Sequence, residues 1–114
     1  MKDISIYLLP LGGEDKYRAN QIGSAIQTFN TEKGFPELKK GSVAIFHVPE
    51  YRGDKKACPH NPEQFRHLFY SLYLGVGWEM PLYDLGDVLP GSTIEDTYFA
   101  VSQIIESMNM ELAS

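Results

Sequence analysis

The chain has 114 residues and a formal net charge of −5, with an isoelectric point near 5.1. That length fits one small domain with a modest core, and 43% hydrophobic with 22% charged residues is ordinary globular composition rather than that of a disordered chain. The acidic balance, with basic residues scattered apart from Arg52, Lys55 and Lys56, lacks the stripe that nucleic acid needs and speaks against an anionic membrane surface.

Along the chain, the β-branched and aromatic run ISIYLL at 4–9 predicts a strand or extended arm, ended by Pro10 and the glycines at 12–13. Residues 1–18 form an N-terminal arm, and 19–114 an α/β segment of the same single domain. Ile22, Ile26 and Phe29 recur at helical spacing and predict a short helix over 19–29, weakened by Gly23. Gly34, Pro36 and Gly41 punctuate a loop. SVAIFHV at 42–48 is a continuous apolar run, the pattern of a strand covered on both faces in a parallel sheet. A polar loop follows.

Asn61 as cap, Pro62 at the first helical position and Glu63 in the first turn announce a helix. Phe65, Leu68, Phe69, Leu72 and Tyr73 mark its apolar stripe, the side expected to face the core. PLYDLGDV at 81–88 predicts a second buried strand. Ser92 with Glu95 reads as a capping box, with Thr93 and Asp96 as the neighbouring frame. Ile94, Tyr98, Val101, Ile105, Met108 and Leu112 then mark one face of a last helix. Two strands joined by a helix imply parallel pairing with a right-handed crossover. Two two-sided strands cannot cover each other, so more structure belongs beside them, from the same parent chain, another copy or a partner.

Chemistry-bearing residues are sparse. The single cysteine, Cys58, allows no internal disulfide and fits a reducing compartment. The start MKDISIYLLPLGG is too short and polar for a signal core or a span, so a cytoplasmic protein is expected. His47, Cys58, His60 and His67 do not have a recognised zinc spacing, and no metal site is expected here. Cys58, near Lys55 and Lys56 and a helix start, has the surroundings of a lowered-pKa thiolate, against the ordinary reading of a loop cysteine. Asp84, Asp87, Glu50 and Asp54 lie at or after strand C-terminal ends, where open α/β sheets bind ligands. No nucleotide-binding or hydrolase fingerprint occurs.

Taken together, VAIFHVPEYRG, PEQFRHLFYSLY and PLYDLGDVLPGSTIEDTYFAVSQII resemble the N-terminal part of the ureohydrolase family of arginases, agmatinases and formimidoylglutamases. TIEDTY looks closest to formimidoylglutamase-like members. The resemblance covers roughly residues 20–112. It implies a partial three-layer α/β/α sandwich, here a parallel βαβα segment with an extra N-terminal strand and helix. The family hydrolyses guanidino or formimino carbon–nitrogen bonds with a hydroxide held by two manganese ions. Its metal-ligand motifs do not occur in this sequence. No residue carries over as catalytic or metal-binding, and no cofactor is expected in this chain. The resemblance implies a substrate-cleft rim at Glu50, Tyr51, Arg52 and Gly53, and an N-terminal fragment that is inactive alone. The alternative is a stand-alone, non-catalytic interaction module that oligomerises through its sheet edge or its C-terminal helix face.

Overall fold

The computed structural model describes residues 3–13, 15–52 and 62–112, with side chains described as far as Met110. Expectations resting on Gly53, Asp54, Lys55, Lys56, Cys58, His60 and the Asn61 cap lie outside the described residues. The fold is mixed α/β: β1 (Leu8–Leu9), α1 (Ile22–Ala25), β2 (Gln27–Thr28), β3 (Val43–His47), α2 (Pro62–Ser71), β4 (Leu82–Val88) and α3 (Ile94–Leu112).

β4 is the axis of the sheet. β3 pairs with it in parallel along one edge, as the strand–helix–strand pattern predicts. Along the other edge lie two short strands end to end: β2 parallel, with Thr28 opposite Asp84, and β1 antiparallel, with Leu8 opposite Val88. Among the described residues nothing pairs with the far edge of β3. Val43 N–H donates to the Pro81 carbonyl on the β4 side (2.9 Å). Strand alternation therefore turns the N–H and C=O of Ala44 and Phe46 outward.

The N-terminal third departs from expectation. Ile4–Tyr7 is a 3-10 turn, and only Leu8–Leu9 is strand. Asp3 accepts from the Ser5 N–H (3.0 Å), a local bond that favours a turn over an extended run. The helix expected over 19–29 is a single turn. Gly23 propagates it poorly, and Gln27–Thr28 find a ladder on β4 that propensity alone does not foresee.

The two faces of β4 are covered differently. Tyr83, Leu85 and Val88 pack with Ile4, Leu8, Ala100 and Ile104 in one core under α3. On the opposite face Asp84 meets α2. Helix α3 starts in the Thr93 frame, whose Oγ1 accepts from the Asp96 N–H (3.1 Å). Its buried stripe is Thr97, Ala100, Ile104 and Ser107, rotated from the expected one: of that set Val101 and Met108 still pack against the core, while Tyr98 and Ile105 are exposed. The small residues at 97 and 100 let the helix approach β4 and the N-terminal turn closely, and that contact sets the rotation.

Candidate functional site

LYDLGDV carries two acids through a strand that is otherwise buried. In a regular strand Asp84 and Asp87 point to opposite faces, being an odd number apart. Here the ladder shifts: Ile45 faces Asp84 while His47 faces Asp87, so three steps of β4 oppose two of β3. The bulge brings both carboxylates toward α2. Gly86 makes it possible. Its φ is +86°, and a Cβ there would overlap the Leu9 carbonyl oxygen.

Arg66 of α2 reaches down between the two acids. Its Nε donates to Asp84 Oδ2 (2.7 Å), one terminal nitrogen to Asp84 Oδ1 (3.1 Å) and the other to Asp87 Oδ1 (2.9 Å). Tyr70 O–H also donates to Asp84 Oδ2, and the Gly86 N–H to Oδ1 (3.0 Å). Asp84 is wholly buried, and these donors meet the requirement that a buried charge be paired and bonded. Burial opposes the Arg66 charge, but its bonds to Asp84 and Asp87 outweigh that and hold the guanidinium more firmly protonated than usual. Burial, followed by the Asp84 charge, pushes the Tyr70 phenol up. His47 Nδ1 lies 3.5 Å from Asp87 Oδ1 and makes no hydrogen bond.

This cluster inverts the helix. Of the stripe expected to face the core, Phe65, Leu68, Leu72 and Tyr73 are 56–61% exposed and Phe69 is half-buried, and the buried residue of α2 is Arg66. The cause is electrostatic: Asp84, fixed inside by β4, needs a cation, and only one face of a helix can turn inward. The chain just past the end of α2 is held by the start of α1 and by Asn20 before it, through Ile22 N–H to the Leu72 carbonyl (2.8 Å) and Leu74 N–H to the Asn20 carbonyl (2.7 Å). A groove of about 670 Å³ runs between α2 and β3, lined by Ile45, Phe46, His47, Phe65, Leu68 and Phe69. A second groove, about 540 Å³, lies on the other side of α2, against Tyr17, Thr28 and Lys33.

Of the expected rim residues, Glu50 and Arg52 form a bidentate ion pair, and Tyr51 is half-buried. Arg52 also donates to the carbonyls of Ser92 and Gly91 (both 2.9 Å), clamping the loop after β3 to the start of α3. Hydrogen bonds from Arg52 hold the Glu50 carboxyl down to about 2. Gly53 lies outside the described residues. The two rim charges are thus engaged with each other and with the backbone.

Sequence reasoning missed Arg66, Tyr70 and their partnership with Asp84. The signal was an aspartate inside a strand with two apolar faces, which requires a cation from a neighbouring element. Among the described residues no three His, Cys, Asp or Glu side chains converge as a metal site. The nearest set, Asp84, Asp87 and His47, has Arg66 between its carboxylates. The described residues do not fit a pair of manganese ions. No helix among the described residues is long and apolar enough to cross a membrane. No protein family matches the chain, and no curated protein and no solved structure matches it.

Proposed function

We infer that this chain is the N-terminal segment of a ureohydrolase-like, metal-dependent hydrolase of guanidino or formimino carbon–nitrogen bonds, built as a three-layer α/β/α sandwich. Its own part is to carry the first parallel strands and one rim of the cleft, and the two manganese ions belong to residues beyond it. The observation that carries this reading is the open edge of β3 together with helices on opposite faces of β4. With α2 on one face, the crossover from β3 to β4 runs in one direction along the sheet. With α3 on the other face, a right-handed crossover runs back the opposite way. The first vacant position in that direction is the outer edge of β3. A further parallel strand there puts the loop at Pro49–Arg52 beside a switch point, where open α/β sheets bind ligands.

The test is the intact mass of the polypeptide in its native host, followed by assay of the purified product. A mass above 12.9 kDa, with manganese-dependent hydrolysis of formimidoylglutamate, agmatine or arginine, is the expected result. A mass of 12.9 kDa overturns it, as does a longer product without such activity. The uncovered stripe of α2 favours a second reading, a non-catalytic module that assembles through that side.

A further inference from the structure

We propose that the 114-residue chain dimerises through β3 and α2, with a second copy of itself pairing antiparallel along the open β3 edge about Ile45. This rests on the module reading and is independent of the family resemblance.

Three observations converge on one side of the molecule. The backbone of Ala44 and Phe46 points outward, and no described strand takes it up. Such an edge is a template for another strand. Ile45 and His47 share the α2 face with Asp84 and Asp87, so Ile45 lies directly beneath the bare stripe. Phe65 and Leu68 are 60% and 61% exposed, with Phe65 stacked on Phe69 at 5.8 Å.

A twofold axis through Ile45 satisfies all of these at once. Strands related by a twofold perpendicular to the sheet are antiparallel and keep the same face. Ala44 then faces Phe46 of the second copy, and both are outward-pointing, so each such pair exchanges two backbone hydrogen bonds. Ile45 meets its own symmetry mate on the α2 face. The two α2 helices come together above it through Phe65 and Leu68. The stripe with Ile45 offers on the order of 500 Å² of apolar surface, in the range of patches that mark association sites. With the edge backbone and rim it approaches the roughly 800 Å² per partner of a standard interface.

The test is sedimentation equilibrium of the full chain from micromolar to millimolar concentration, with three variants. The expected result is a monomer–dimer equilibrium rising toward twice 12.9 kDa. Leu68→Lys changes an exposed side chain, and Ala44→Pro removes an N–H that no described strand takes up. Each is expected to weaken the dimer at least tenfold with circular dichroism unchanged, and Ile105→Lys on α3 is expected to leave it intact. A monomer at every concentration overturns the proposal. So does a dimer that Ile105→Lys weakens and Leu68→Lys does not. Neither outcome touches the larger-parent reading, whose test is the native mass.

Discussion

Helices α2 and α3 each follow a parallel strand of one sheet, yet they bury opposite kinds of residue. Helix α3 turns Ala100 and Ile104 onto β4 and is completed by Ile4 and Leu8 from the N-terminal turn. Helix α2 turns Arg66 inward and shows Phe65 and Leu68 to solvent. The difference lies in what each face of β4 presents. One face offers Tyr83, Leu85 and Val88. The other offers Asp84, and through the bulge Asp87, so its first requirement is a cation. An ionic contact of that kind fixes a helix in place while leaving its apolar stripe free for something else.

The strongest way to break this contrast is to remove the cation. Arg66→Ala leaves Asp84 buried without its counter-ion and is expected to cost about 3–5 kcal/mol in a urea melt. A cost below about 0.5 kcal/mol would show that α2 is not held by this pair. Next, Ile104→Ala under α3 is expected to cost about 2–5 kcal/mol, while Leu68→Ala on α2 changes dilute-chain stability by no more than about 0.5 kcal/mol. Equal losses would mean that both stripes are core.

The smallest expected effects concern pH. Glu50 sits below its ordinary 4.5, at about 2, chiefly through its hydrogen bonds to Arg52. Its contribution is therefore present above the ordinary value and lost as pH falls through about 2. Carboxyl chemical shifts should place its titration there. Tyr70 is raised, first by burial, so its contribution is present below the ordinary tyrosine range and lost as pH rises through its higher folded value. An ultraviolet titration of the seven tyrosines should show one resisting ionisation until the fold opens, and Tyr70→Phe should remove that lag.

The C-terminal two thirds of the fold was legible because its signals are local: the apolar runs at 42–48 and 81–88, Pro62 with Glu63, and Thr93 with Asp96. The parallel β3–α2–β4 unit followed from them. The N-terminal third was not legible, because Gln27–Thr28 and Leu8–Leu9 become strand only by meeting β4. The facing of α2 was also misread, and that of α3 in part, since only Val101 and Met108 of its expected stripe pack on the core. Apolar periodicity assumes that the most hydrophobic stripe turns inward. For α3 the close approach of small Thr97 and Ala100 decided the rotation, and for α2 a buried aspartate decided it. Of the candidate site, the Glu50–Arg52 pairing was visible as a neighbouring charge pair. Its anchorage on Gly91 and Ser92, nearly forty residues away, leaves no trace in local spacing.

The central claim is that β3 has one covered edge and one open one. Residue-resolved amide hydrogen exchange, run on a dilute and a concentrated sample, tests it most directly. Val43 and Ile45, turned toward β4, are expected to exchange slowly in both. Ala44 and Phe46 are expected to exchange quickly when dilute and to slow together as concentration rises. If Ala44 and Phe46 are as slow as Ile45 in the dilute monomer, the edge is covered within a single chain and the claim is wrong.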